Sequence, residues 1–154
     1  VSLDGDGQHN PDEIPRLLAP ILQGKADMAN GSRFLNDKCH IPRYRKFGIR
    51  VITFLFNLGS RNKISDSQSG FRGYRKKLFA YFLPLTEKGM GSSVEILEKA
   101  RRGGIIIREV PITCRYTTSG INLKAIKHGL GVAMGVIKIR LRSLLRRPTG
   151  GNDA

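Results

Sequence analysis

Asp4 and Asp6 stand two residues apart in the string Asp4-Gly5-Asp6-Gly7-Gln8-His9, directly after an apolar start. Two carboxylates this close repel each other unless a cation lies between them. Hard divalent cations such as Mg²⁺ take oxygen ligands, commonly one or two carboxylates together with substrate phosphates. Gly5 and Gly7 let the backbone approach a bound group closely. The loop therefore offers a metal site that would hold a diphosphate. It equally offers an Asx-rich turn capping the next helix, and spacing alone leaves both open. An EF-hand loop is excluded, because counting from Asp4 its glycine and glutamate positions are His9 and Pro15.

The elements that must position this loop alternate between strand and helix. Val1–Leu3 has the character of the end of a buried strand, and the chain opens there without Met, so an upstream segment is expected to supply its neighbours. Asn10, Pro11 and Glu13 form a capping-box start for a helix running to about Gln23, with Ile14, Leu17, Leu18, Ile21 and Leu22 on one face. Gly24 ends it. Ala26–Ala29 is a short strand, followed by a loop at Asn30-Gly31-Ser32-Arg33. A second helix is expected over Arg43–Leu58, basic in its first turns and apolar later, with Phe54 and Phe56 in the core. Ile64–Gly70 is a polar loop, Phe71–Arg75 a strand and Lys76–Leu83 a short helix. Ser92 and Glu95 form a second capping box, opening a helix that Gly103-Gly104 stops. Ile105–Tyr116 is a strand pair bent at Pro111. This order predicts an α/β fold with a mixed, mostly parallel sheet flanked by helices, whose ligands sit beyond the carboxyl ends of strands. Asp4–His9 occupies that place.

The 154 residues suffice for one ordinary domain. Lys and Arg number 27 against 12 Asp and Glu, a formal net charge of +15. The first thirty residues hold five acidic and two basic side chains, so the basic excess lies in the remainder. A one-signed field of this size implies an anionic partner: nucleic acid, a phosphorylated substrate or an anionic lipid surface. Two cysteines, Cys39 and Cys114, exclude a disulfide-dense scaffold, and neither lies in a CxxC pair that would suggest structural zinc. No uncharged apolar run approaches the roughly 20 residues that span a bilayer.

Several strings in this order resemble family 2 glycosyltransferases, in particular the dolichol-phosphate mannosyltransferases and related polyprenyl-phosphate glycosyltransferases. Leu3-Asp4-Gly5-Asp6-Gly7-Gln8-His9-Asn10-Pro11 is similar to their DxDGQH-P segment, and Gly31-Ser32-Arg33 to their GSR motif. Asp66-Ser67-Gln68-Ser69-Gly70-Phe71-Arg72 resembles D-x-Q-S-G-F-R, Glu95-Ile96-Leu97 resembles E-I-L, and Glu109-Val110-Pro111-Ile112 resembles E-V-P-I. The resemblance covers roughly residues 1–128. It implies a GT-A (Rossmann-like) fold, N-terminally truncated, with the nucleotide-binding half upstream. Residues 1–121 would be the C-terminal part of the catalytic domain, 122–147 a basic amphipathic helix and 148–154 a disordered tail.

The resemblance further implies inverting transfer of a sugar from GDP-mannose or a UDP-hexose to a polyprenyl (dolichyl) phosphate. Asp4, Asp6 and Gln8 would bind Mg²⁺ or Mn²⁺, with Asp4 and Asp6 facing the donor diphosphate. Arg33, with Arg43 or Arg45, would contact the acceptor phosphate, and Arg115 resembles a further acceptor arginine. Asp66 would act as base or orient the acceptor, and Arg72 would organise Asp66 or pair with phosphate. Arg suits phosphate through its planar, bidentate fork. A phosphate monoester has a second pKa of about 6, so such an acceptor needs a strong base less than a sugar hydroxyl does. The bland alternatives are a turn cap for Asp66, a structural ion pair for Arg72 and the Ser92 capping box for Glu95.

Gly129–Ile137 is uncharged and is followed by Lys138, Arg140, Arg142, Arg146 and Arg147. Such a helix either lies on an anionic membrane surface or packs on the domain with a solvated basic face. The expected location is peripheral, on the cytoplasmic face of the membrane. A basic nucleic-acid-binding module and an inactive fragment are the rival readings. The former lacks any helix-turn-helix, zinc-finger or RNP signal, so no nucleic acid is expected.

Overall fold

Three short strands, β1 (Met28–Ser32), β2 (Arg72–Tyr74) and β3 (Ile107–Pro111), make the sheet in a computed structural model that describes residues 1–60, 62–87 and 90–116, with 134, 135 and 137. β1 lies in the middle, antiparallel to β2 and parallel to β3. Ser2 extends the sheet outside β2 by exchanging two backbone hydrogen bonds with Arg72, each 2.9 Å. The sheet is mixed, and its parallel pairing among the described residues is β1 with β3.

Register decides what each face carries. Asn30 stands opposite Arg72 on one side and Glu109 on the other, so three polar side chains form one row across the sheet. The neighbouring row on the same face is Tyr74, Met28 and Ile107. It packs with Ile52 and Phe56 of α2 (Arg43–Asn57), Leu78 and Phe82 of α3 (Leu78–Phe82), and Val94, Leu97 and Ala100 of α4 (Met90–Arg102). The opposite face presents Ala29, Phe71, Val110 and Ile112 to α1 (Ile14–Leu22), which meets them with Leu17, Ile14 and Ile21. Alternation along each strand thus separates two cores.

Several expectations shift at element ends. The first helix starts as a 3₁₀ turn over Pro11–Glu13, with the Asn10 side chain accepting from the Asp12 N–H. Glu13 does not close a capping box. It pairs with Arg16 and accepts from the Thr113 N–H at 2.8 Å, tying α1 to the chain beyond β3. Gly24, at φ 71°, ends this helix as expected. Leu22, its last residue, is 79% exposed, past the end of the buried stripe. Phe54 is 64% exposed, not core: it lies about 200° around α2 from Ile52 and Phe56, which are buried. Asn30-Gly31-Ser32 is strand rather than loop, because pairing on both sides outweighs the turn propensity of Asn-Gly. The expected helix at 122–147 and tail at 148–154 lie outside the described residues, apart from the helical positions 134, 135 and 137.

Helix α4 begins at Met90, so Ser92 lies inside it and not at its N-cap. The Glu95 carboxylate instead accepts from the backbone N–H groups of Thr86 and Glu87, at 2.9 and 2.8 Å, and pairs with Lys99. Burial works against its charge, yet these donors hold the carboxyl below its ordinary 4.5. A depressed folded value contributes stability above the unfolded value, and that stability is lost as pH falls through the folded one. Glu95→Gln should therefore cost roughly 1–3 kcal/mol in urea unfolding at pH 7. The difference from wild type should shrink as pH drops below about 4.5.

Candidate active site

The loop between α2 and β2 is polar yet buried. Asp66, Ser67, Gln68 and Ser69 are all less than 5% exposed. Asp66 is reached by four donors. Arg33 Nε donates to Oδ2 at 2.6 Å and Nη2 to Oδ1 at 2.7 Å, while the Arg33 and Gln68 backbone N–H groups complete the set. A carboxylate so occupied has no lone pair in reserve for a substrate proton. Asp66 is thus engaged by Arg33, a contact in keeping with the orienting role expected as the alternative to a base. Although burial alone would lower the Arg33 pKa, the Asp66 carboxylate raises it.

Arg72 is 1% exposed. It donates to Asn30 Oδ1 at 3.0 Å, to the Ser93 carbonyl at 2.8 Å and to the Ser67 carbonyl at 3.3 Å. Burial lowers its pKa, partly offset by Tyr74, Asp66 and Asp4. It organises the Asp66 loop through Ser67, a role nearer the structural alternative than phosphate pairing. Across the row, Asn30 Nδ2 donates to Glu109 and to the Asp66 carbonyl. Burial pushes the Glu109 carboxyl above its usual range, against the backbone N–H bonds that draw it down.

Asp4 and Asp6 sit on the exposed loop after the Ser2 bridge. His9 is buried against Phe71, its Nε2 3.4 Å from Asp4, and this contact holds the Asp4 carboxyl below the usual carboxylate range. Asp6 accepts from the Gln8 N–H at 3.1 Å, the Asx turn that the spacing also allowed. Both oxygen pairs remain accessible, and Gln8 is half-buried beside them. No cluster of three or more His, Cys, Asp or Glu side chains is arranged for a metal among the described residues. Two carboxylates fit the Mg²⁺ or Mn²⁺ case in which phosphates and water complete the shell. Gly70 matters here: a Cβ at that position would overlap the Asp4 carboxylate.

Beyond β3 the chain runs alongside the Asp4–His9 loop. His9 bridges Cys114, and the Arg115 N–H donates to the Gln8 carbonyl at 2.9 Å. Two clefts open on either side. One, of about 350 Å³, is lined by Gln8, His9 and Arg115 among others; the second, of about 440 Å³, by Lys38, His40, Arg115 and Tyr116. Arg115 lines both. Tyr116 accepts from Arg33 Nη1 at 2.8 Å, and the Arg45 guanidinium lies 5.0 Å over its ring. Arg33 and Arg45 therefore meet at Tyr116, which shares a cleft with Arg115; exposed Arg43 stands at the first turn of α2. Cys39 and Cys114 form a disulfide between the segment before α2 and this strand. Tyr116, Asn30 and this cysteine pair were not legible as site residues in the sequence.

Residues 1–82, more than half of the chain, match the family described as Glycosyl transferase family 2. The chain belongs to glycosyl transferase family 2. The GT-A fold of that family accounts for the mixed α/β architecture. This family 2 chain is similar to the UDP-N-acetylglucosamine–dolichyl-phosphate N-acetylglucosaminyltransferase of Methanococcus voltae, 33% identical over 120 residues, 76% of this chain and 48% of the relative. It is 27% identical over 146 residues to the dolichyl-phosphate hexose transferase of Haloferax volcanii, covering 95% and 63%. It is 30% identical over 130 residues to the polyprenol monophosphomannose synthase of Mycolicibacterium smegmatis, covering 79% and 47%. The chain spans about half the length of the first relatives it matches. No solved structure matches it significantly.

Gly70→Ala tests the Asp4 cradle. The backbone at Gly70 lies outside the left-handed region, and the atoms nearest the added methyl are those of the Asp4 carboxylate. Mn²⁺ affinity in the presence of a nucleoside diphosphate, followed by electron paramagnetic resonance, should fall about 10–100-fold, as when an outer-shell support is lost. The unfolding midpoint should barely move, because the displaced carboxylate is on an exposed loop.

Proposed function

We propose that this family 2 chain carries part of the catalytic site of a metal-dependent glycosyltransferase that moves a sugar from a nucleotide donor to a polyprenyl phosphate, with inversion. The observation behind this reading is that Arg115 lines both the cleft beside Gln8 and His9 and the cleft beside Tyr116, the residue that Arg33 and Arg45 contact. A diphosphate leaving group and an anionic acceptor need sites of this kind side by side. Asp4, Asp6 and Gln8 would hold the cation, which when bound stabilises charge developing on the departing diphosphate. Arg33, Arg45 and Arg115 hold the acceptor phosphate, with Arg43 at the mouth. Asp66, fully engaged by Arg33, orients rather than deprotonates. That suits an acceptor already ionised near neutral pH, given a second pKa of about 6. The names of three similar proteins, two with dolichyl-phosphate and one a polyprenol monophosphomannose synthase, support the acceptor class.

The partner surface in this reading is an anionic membrane, met peripherally on its cytoplasmic face. Helix α2 buries Ile49, Ile52 and Phe56 and turns a second apolar stripe outward: Phe47 at 71%, Val51 at 38% and Phe54 at 64% exposure. Arg43, Arg45, Lys46 and Arg50 flank the stripe, and α2 holds no acidic residue. A second copy would set like charges against each other, and so would the basic residues of 122–147. Anionic headgroups match both the charge and the apolar stripe.

Membranes carrying the full-length protein, given labelled GDP-mannose, UDP-glucose or UDP-N-acetylglucosamine with polyprenyl phosphate and Mg²⁺ or Mn²⁺, should yield organic-phase label from one donor. EDTA should abolish it, and Asp6→Asn should lower it on the order of a hundredfold or more with the fold intact. Organic-phase label that survives EDTA would refute metal dependence. Separately, the purified protein should sediment with phosphatidylglycerol vesicles far better than with phosphatidylcholine vesicles. The double variant Phe47→Glu/Phe54→Glu should weaken this at least tenfold, since burying each Phe contributes roughly 1.5–3 kcal/mol.

A further inference from the structure

Glu109 lies on β3 and lines neither cleft. Its carboxylate is partly buried beneath the Asp66 loop. Oε2 accepts from the Ser65 N–H at 2.7 Å, and Oε1 accepts from the Asp66 N–H and from Asn30 Nδ2, both at 3.2 Å. All three donors are neutral, and among the described residues no ion pair reaches Glu109. A desolvated carboxylate without a cation is a costly way to brace a sheet that already pairs β3 with β1 over five residues.

What the carboxylate grips gives it a purpose. The two backbone N–H groups belong to Asp66 and the residue before it. Asp66 in turn commits its whole carboxylate to Arg33 and to backbone N–H groups. Of the five guanidinium N–H groups of Arg33, one on Nε and one on Nη2 face Asp66, and one on Nη1 meets Tyr116. The two that remain are the donors Arg33 has left for an anion. Their direction follows from the Asp66 carboxylate plane, and that plane follows from where the Ser65–Asp66 peptide is pinned.

We propose that Glu109 is a positioning residue for the acceptor phosphate, pinning the Ser65–Asp66 peptide so that Asp66 holds Arg33 against Tyr116, a residue that lines the second cleft. The inference rests on the glycosyltransferase reading above for the identity of the anion. The clamp itself does not depend on that reading. A glutamine at this place keeps the shape but offers one acceptor oxygen, and it turns an NH₂ group toward a backbone donor. An aspartate keeps the charge but falls one methylene short.

The test uses the full-length protein, with Glu109→Gln, Glu109→Asp, Arg33→Lys and the Glu109→Gln/Arg33→Lys double variant. Lysine at 33 keeps a cation but cannot make the bidentate fork. In transfer assays Glu109→Gln should lower kcat/KM for polyprenyl phosphate roughly tenfold, as expected for lost hydrogen bonds to a charged group. The KM for the nucleotide sugar should stay within about twofold. In the Arg33→Lys background the same change should cost less than about twofold, because residues acting as one unit are not additive. An equal loss in both backgrounds, or an equal rise in both KM values, would overturn the proposal in favour of general structural support. If Glu109→Gln does not fold, Glu109→Asp takes its place in the cycle, with the same losses expected.

A second readout needs no transfer. The Nε–H resonance of Arg33, labelled with ¹⁵N, should be slow to exchange in the wild type and should shift and exchange at least tenfold faster in Glu109→Gln. An unchanged Arg33 signal in Glu109→Gln refutes the clamp. A wild type that transfers no sugar from any donor, yet shows the expected Arg33 change, refutes the glycosyltransferase reading and leaves the clamp standing.

Discussion

Asn30 sits on the central strand at the rung where all three strands meet, and much of the site depends on its carboxamide. One end accepts from Arg72 and the other donates to Glu109 and to the Asp66 carbonyl. A buried arginine and a partly buried glutamate are joined through a neutral amide that polarises toward both. Direct burial of such charges would cost several kcal/mol each unless their hydrogen bonds are filled. Here the fillers are backbone carbonyls and N–H groups of the loop that carries Asp66, together with the Ser93 carbonyl of α4. The polar loop and the polar row therefore stabilise one another, and neither would be tolerable in this interior alone.

A similar mutual support governs the exposed side of the site. The Asp4–His9 loop has little packing of its own. It is anchored by Ser2 on β2, by His9 against Phe71, and by the Gln8 carbonyl bound to Arg115. Glu13 then ties the start of α1 to Thr113, and Cys39 ties the segment before α2 to Cys114. Three separate stretches of chain meet on the few residues that follow β3.

How much of this could be read beforehand depended on whether the signal was local. Capping residues and glycines marked helix ends well, as at Asn10 and Gly24, and the motif strings located Asp4, Arg33, Asp66 and Arg72 within the fold. Roles were harder. An aspartate in a polar loop has the same sequence appearance whether it faces substrate or is enclosed by four donors; only the Arg33 contact distinguishes them. Asn30-Gly31 carries a turn signature, and strand pairing on both sides overrode it. Glu95 followed a serine at capping-box spacing, yet its donors came from Thr86 and Glu87, ahead of the helix. Tyr116 gave no signal, because its partners Arg33 and Arg45 lie 83 and 71 positions away in the chain.

The bridge between His9 and Cys114, continued by the Arg115 N–H to Gln8, makes the acidic loop and the arginine-bearing segment two neighbours in a ladder. Strands in a ladder stand a fixed distance apart, about 5 Å. In the proposed reaction the cation-bound leaving group and the incoming phosphate would be held on opposite rails of that ladder. The spacing of the two chain segments would then be set by main-chain geometry. The side chains they carry could vary with the sugar or the lipid without moving the segments themselves.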